Sequence, residues 1–155
     1  MISISEATVQ DIPFLQRFQE HILQMEREYD PFHKPAPARI YEDHHFKRLI
    51  ARKDAAVFVA QEKEPVGCAL CILSASSEHW MTYRNKGTIA FVYVKPDYRR
   101  KKIGQELLKK CIDWLNQKGA DMIRLKVYAQ NKAAHELYTS LGFQDYLTEM
   151  ILPKI

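Results

Sequence analysis

The chain has 155 residues, 46% of them hydrophobic, and 23 Lys and Arg against 19 Asp and Glu give a formal net charge of +4. That is enough apolar material for one core in a single domain over residues 1–155, with no internal repeat or biased linker to divide it. No stretch approaches the roughly 20 apolar residues needed to cross a bilayer, and no basic segment with an apolar core marks a signal at the N-terminus, so a cytoplasmic chain without a membrane partner is expected.

Residues 2–7 read as a first strand. Thr8 or Asp11 can then cap a helix that carries Phe14, Leu15, Phe18, Ile22 and Met25 on one side, with Pro13 near its start. A proline-rich loop, 30–37, leads to a second helix over about 39–52, anchored by Ile40, Phe46, Leu49 and Ile50. Residues 56–61 and 66–73 are strands joined by Glu62-Lys63-Glu64-Pro65, a hairpin connection. Cys68 and Cys71 lie in the second of these, and an offset of three along a strand puts them on opposite faces, which argues against metal or redox use of the pair. Cys111 falls on the apolar side of its helix and reads as core. Three cysteines without a secretory signal imply no disulfide framework.

Polar residues 74–86 lead into a fourth strand, 88–94, which Pro96-Asp97 stops. Ile103, Leu107, Leu108, Cys111, Ile112 and Leu115 then follow helical spacing. A fifth strand, 123–128, follows Gly119; residues 133–140 form a short helix ended by Gly142, and 143–152 form a last strand that closes the sheet.

The junction of the fourth strand and the third helix carries the most chemistry. A tight strand-to-helix turn aims helix N-terminal amides outward, where unpaired N–H groups and the positive dipole end favour an anion. Arg99, Arg100, Lys101 and Lys102 add charge on the same side, so a diphosphate-bearing ligand is the natural guest. A solvated basic helix face and a nucleic-acid patch are the other readings of this cluster, but neither accounts for its placement in a strand-turn-helix.

These residues resemble the GCN5-related N-acetyltransferases, the GNAT family, whose signature [Q/R]-x-x-G-x-[G/A] stands here as Arg99-Arg100-Lys101-Lys102-Ile103-Gly104. A second block, Asn131-Lys132-Ala133-Ala134-His135-Glu136-Leu137-Tyr138 to Leu141-Gly142-Phe143, is similar to the family's N-x-x-A…Y…G-F segment. The entrance Ile4-Ser5-Glu6-Ala7-Thr8-Val9-Gln10-Asp11-Ile12 is similar too, so the resemblance covers nearly the whole chain. One position departs from the pattern: Lys102 replaces the first glycine. Either it takes an ordinary backbone conformation with its side chain turned away, or it adds charge to the phosphates; the amide survives both ways.

The resemblance implies an α/β (α+β mixed sheet) fold of the GNAT type, with six or seven strands, about four helices, and a splay between the fourth and fifth strands. It implies acetyl-CoA as acyl donor, no metal, and transfer of the acetyl group to a primary amine of a small molecule or peptide by direct attack on the thioester. The amide of Val92 would polarise the thioester carbonyl and that of Val94 would hold pantetheine; as side chains both also read as ordinary strand packing. The phosphates would fall to Arg99, Arg100, Lys101, Lys102 and the turn amides of Ile103, Gly104 and Gln105. Asn131 reads equally as a helix cap and as a cofactor contact. Ala134 is small enough to let the cofactor pass. Tyr138, two helical turns after Asn131, would protonate the departing thiolate; otherwise it is a core tyrosine with a satisfied hydroxyl.

Thr88 stands where histone-modifying relatives carry a basic glutamate, and threonine cannot do that work. Glu26, Glu28, Asp30, His44, His45, Glu78 and His79 are other candidates, each also readable as a surface group, and a chain of waters would serve as well, so no base is assigned. The acceptor side, by resemblance, is walled by residues 26–39 and 76–86. Tyr29, Phe32, Trp80 and Tyr83 would line an aromatic slot there, with Glu26, Glu28 and Asp30 drawing a cationic amine, unless the aromatics simply pack loops onto the sheet. An idle acyl-CoA sensor or interaction protein of the same fold is the alternative function. A nucleic-acid module comes third, and a homodimer is left open.

Overall fold

A computed structural model describes residues 1–33 and 44–154. The elements are β1 (Ser3–Glu6), α1 (Ile12–Glu26), α2 (His44–Ala51), β2 (Ala55–Gln61), β3 (Pro65–Ala75), β4 (Asn85–Val94), α3 (Ile103–Gln117), β5 (Met122–Arg124) and α4 (Lys132–Ser140). Of the expected second helix, the start near residue 39 and the anchor Ile40 lie outside the described residues. Among the described residues no helix is long and apolar enough to cross a membrane.

The strands form one sheet in chain order, antiparallel from β1 to β4, with β5 parallel to β4. β2 and β3 are buried on both faces, which is why they read as near-continuous apolar runs. One face is covered by α1 and α2 through Leu15, Phe18, Ile22, Phe46 and Leu49; Cys68 lies on this side. The other face is covered by α3, with Cys71 and Cys111 on that side, so the two strand cysteines do fall on opposite faces. Ile103, Leu107, Leu108, Cys111 and Leu115 of α3 are all buried, and a large aliphatic side chain contributes roughly 1.5–3 kcal/mol when taken out of water. The helix ends where Gly119 takes φ +86°, the left-handed conformation that glycine adopts without strain.

Two features give the sheet its opening. Leu70 pairs with Phe91 but Cys71 pairs with Ile89, so Ala90 is an extra residue, a bulge in the middle of β4. And β4 pairs with β5 only from Lys86↔Met122 to Thr88↔Arg124. The base of this pair is clamped by Asp121, whose Oδ2 accepts from the backbone amides of Arg84 (2.9 Å) and Asn85 (2.8 Å). Above it the strands part, as the expected splay requires.

Two expectations need correction. Among the described residues the sheet has five strands, not six or seven, and residues 125–128, expected to continue β5, carry no ladder. Residues 143–152, expected to close the sheet, pair with nothing among the described residues. Both have strand-like sequence, but a strand exists only against an edge, and here neither stretch meets one.

Candidate functional site

The turn after β4 runs through a 3-10 turn, Pro96–Tyr98, to the start of α3. Arg100 and Lys102 both take positive φ, 62° and 63°. Of the two readings left open for Lys102, the ordinary backbone conformation is therefore overturned: the left-handed backbone is kept without the glycine, at a cost of about 1–3 kcal/mol for a side chain held there. Lys102 precedes the helix without capping it through its side chain. Glu106 donates to the Lys102 carbonyl at 3.0 Å and is the first amide of α3 to bond back, which leaves those of Ile103, Gly104 and Gln105 as orphan donors. A Cβ on Gly104 would meet only Leu137 at 3.6 Å and Val94 at 3.7 Å, ordinary contacts. Among the described residues nothing demands glycine there, and its missing Cβ leaves open space beside the helix N-terminus.

Beside this turn lies the free edge of β4. Lys95 donates its amide to Val66 on β3 at 2.8 Å, so by strand alternation Tyr93 faces β3 as well, while the amides of Val92 and Val94 face the gap toward β5. The Val94 carbonyl in that gap accepts from Arg99 Nε at 3.0 Å, and Arg99 Nη2 sits 3.3 Å from Met25 Sδ. Arg99 thus folds back to tie the turn to β4 and α1. Lys101 lies over the Tyr98 ring, 4.9 Å from its centre. Arg100 and Lys102 are exposed at the turn.

α4 closes the third side. Asn131 accepts from the Ala134 amide at 3.2 Å, so the capping reading holds; its amide nitrogen is left over for another partner. Tyr138 packs edge-on to Phe143, 6.2 Å between ring centres. Burial raises its pKa, so the hydroxyl keeps its proton, and among the described residues no hydrogen bond satisfies it. Leu137 meets α3 at Gly104, so the turn, the β4 edge and α4 converge on one gap.

Across the gap, sequence reasoning missed a cluster. Its centre is Tyr128, four residues beyond the end of β5 at Arg124. The Tyr128 hydroxyl donates to Asp30 Oδ2 at 3.0 Å and lies 3.4 Å from His33 Nε2. His33 Nε2 is in turn 3.6 Å from Asp30 Oδ2 and 3.9 Å from Glu26 Oε2. Burial, with the Asp30 carboxylate, pushes the Tyr128 pKa up to about 12. Burial also lifts the Glu26 carboxyl above its ordinary value, partly offset by His33, while the Phe32 amide bonded to Asp30 lowers that carboxyl. Glu26 and Asp30 were visible as acids near the helix end; His33 and Tyr128 were not, because only the tertiary fold brings residues 95 positions apart together.

The aromatic slot does not assemble as expected. Tyr29 stacks on Tyr128 at 5.9 Å instead, Tyr83 donates to Glu78, and Phe32 and Trp80 are exposed. Of the other base candidates, Glu28, His44 and His79 are exposed, and Thr88 sits in the paired base of β4, opposite Arg124.

The family model of the acetyltransferase (GNAT) family matches residues 19–143. An uncharacterised N-acetyltransferase of Methanocaldococcus jannaschii is 32% identical over 102 residues, 65% of this chain and 44% of that protein. The chain spans less than half the length of the curated relatives it first matches. Among solved structures, a mutant of the BH1408 protein of Bacillus halodurans superposes with a TM-score of 0.89 at 22% identity, over 99% of both chains. The aminoglycoside N-acetyltransferase AAC(6')-Iy, in complex with the bisubstrate analogue CoA-S-monomethyl-acetylneamine, gives 0.74 at 14% identity, over 100% of this chain and 99% of that one. At these identities the likeness is one of fold.

Proposed function

The chain belongs to the acetyltransferase (GNAT) family, and from that premise we propose that it transfers the acetyl group of acetyl-CoA to the primary amine of a cationic acceptor by direct attack. The observation that carries this reading is the convergence of three donor sets on one gap: the outward amides of Val92 and Val94, the orphan amides of the α3 N-terminus, and the unpartnered hydroxyl of Tyr138. Acetyl-CoA, when bound, supplies an activated thioester.

Each part of the chain then has a task. The amides of Ile103, Gly104 and Gln105, with Arg100, Lys101 and Lys102, hold the diphosphate; Arg99 braces the turn through Val94 and leaves its second edge for the same anion. The Val94 amide pairs with the pantetheine arm, which takes the place of a strand on the β4 edge. The Val92 amide donates to the carbonyl oxygen as negative charge gathers there. Ala134 leaves room, and Asn131 keeps α4 in place by its cap.

The amine arrives from the side of Glu26, Asp30, His33 and Tyr128. Asp30, ionised, draws the cation; Glu26, raised by burial, and the adjacent His33 stand where the amine's proton must go. The amine nitrogen forms its bond to the acetyl carbon, the carbon–sulfur bond breaks, and Tyr138 donates its proton to the leaving sulfur. The test is Tyr138→Phe: turnover should fall about 10²-fold, the typical size of a general-acid contribution, with acetyl-CoA affinity by titration calorimetry unchanged. Equal turnover removes the acid role, and a fall in affinity alone makes Tyr138 a binding residue.

A further inference from the structure

The sheet face turned toward α1 is left uncovered at β5. Gly87 faces α3, since a Cβ there would meet Leu115 and Ile123, and Ile123 and Leu125 pack on that same side. Alternation therefore sends Lys86 and Thr88 of β4, with Arg124 and Lys126 on β5 and its continuation, to the opposite face, where the Tyr128 hydroxyl meets Asp30. Of the described apolar residues that pack under α1 and α2, none comes from β5 or from the chain just beyond it. Arg124 and Lys126 are exposed, and Lys86 is partly so.

Three cations thus share one face without a partner inside the chain. Among the described residues no ion pair engages Lys86, Arg124 or Lys126. Glu78 is already engaged: its carboxylate accepts from Tyr83 and raises the pKa of that hydroxyl, while Arg124 acts on it the other way. The basic row begins where the acid cluster ends. Lys126 and Arg124 come two and four residues before Tyr128, at most about 7 Å and about 14 Å along an extended chain. Charge on this face therefore changes sign, from Glu26 and Asp30 at the gap to Lys126, Arg124 and Lys86 away from it.

We propose that the acceptor is the N-terminal segment of an acidic peptide: its α-amine sits among Glu26, Asp30, His33 and Tyr128, and acid side chains at its second and fourth positions pair with Lys126 and Arg124. The inference rests on the reading that the amine enters beside that acid cluster. An extended peptide sends alternate side chains to one side about 6–7 Å apart, the same period at which the extended chain before Tyr128 presents Lys126 and Arg124. Lys86, opposite Met122 on the neighbouring strand, carries the row on to a further acid group. One carboxylate, as on a free amino acid, would use one of these cations and leave the others unanswered. A polyamine would be held at its first amine by Asp30 and repelled by each cation beyond it, so the row selects against it.

The experiment measures binding and transfer separately. Fluorescence anisotropy, with and without CoA, follows a short C-terminally labelled peptide that has a free α-amine and aspartate at its second and fourth positions, beside otherwise identical peptides with asparagine or lysine there. Acetyl transfer to each is read by mass spectrometry. The expected order of affinity is aspartate, asparagine, lysine, with about 10-fold between the first two in low salt, as two exposed charge pairs would give, and a gap that closes as salt is raised. In the double variant Arg124→Gln, Lys126→Gln the three peptides should bind alike, while an unchanged melting temperature and circular dichroism show an intact fold. Charge-graded binding without acetyl transfer would uphold this inference and overturn the transferase reading. Transfer to the aspartate and asparagine peptides with equal affinity and kcat/KM would do the reverse, as would transfer to small amines with no peptide bound. A preference for aspartate that survives the double substitution also overturns the inference, since the acid groups then pair elsewhere.

Discussion

β4 is paired with β3 along its length and backed by α3, whereas β5 holds three residues of pairing and gives way to unpaired chain at Leu125. The two strands flank the same gap, and the difference separates what the chain completes alone from what it leaves for others. On the β4 side, Gly67 lets β3 and β4 approach so closely that an added Cβ would lie 2.7 Å from the Tyr93 carbonyl oxygen. Such a wall is rigid, and amides set in it cannot turn away from the gap. On the β5 side the polar groups that reach the gap come from separate elements, Glu26, Asp30 and His33 near the end of α1 and Tyr128 beyond β5, joined by hydrogen bonds rather than packing. A rigid wall suits a donor that is always the same molecule. A wall of hydrogen-bonded side chains suits recognition of a charged acceptor.

The comparison is broken most severely by hollowing the rigid wall. Leu107, fully buried behind β3, should lose about 2–5 kcal/mol on Leu107→Ala, read as a shift of the denaturant midpoint. The β5 side should answer in rate rather than stability. Glu26→Gln should lower kcat/KM about 10²-fold near neutral pH, the typical size of a general-base contribution. Because burial raises this carboxyl's pKa, it loses its proton only at higher pH than an ordinary carboxylate; wild-type activity should therefore fall as pH drops through that raised value, and the limb should vanish in Glu26→Gln. A limb unchanged in the variant would hand the proton to His33.

A smaller effect sharpens the cofactor side. Lys102→Gly relieves a left-handed backbone and should stabilise the chain by about 1 kcal/mol, seen as a higher melting temperature, with acetyl-CoA affinity lowered only by the loss of one exposed charge. A large loss of affinity would mean that the Lys102 ammonium, more than the amides, holds the phosphates. The smallest effect concerns the clamp at the base of the splay. The Asn85 and Arg84 amides hold the Asp121 carboxyl below its ordinary pKa, so its contribution is present above the usual carboxylate range and is lost as pH falls through the depressed folded value. Asp121→Ala should flatten that acid-side loss in a melting series without changing the neutral-pH fold.

Much of the rigid wall was legible in the sequence. The turn announced itself because Pro96-Asp97, four cations and a 3.6-residue apolar period are all local signals, and of the six residues that period marks all but Ile112 are buried in α3. Cys68 and Cys71 fell on opposite faces by simple parity. What stayed hidden needs partners distant in sequence. The Ala90 bulge appears only when β3 and β4 are laid side by side. That Arg99 also holds Val94 and Met25 shows only in the fold. Tyr128 and His33 carry no mark of their meeting. Residues 125–128 and 143–152 were expected as strands and form no ladder among the described residues, because propensity cannot supply the edge that a strand needs.

The central claim is that the gap beside β4 moves an acetyl group to an amine. The direct test is release of free CoA thiol from acetyl-CoA by the purified protein, against small amines, polyamines, amino acids, aminoglycosides and short peptides, with Tyr138→Phe alongside. The account predicts acceptor-dependent release that favours cationic acceptors and collapses in the variant. Acetyl-CoA bound without release for any amine would contradict it and leave an acyl-CoA sensor in its place.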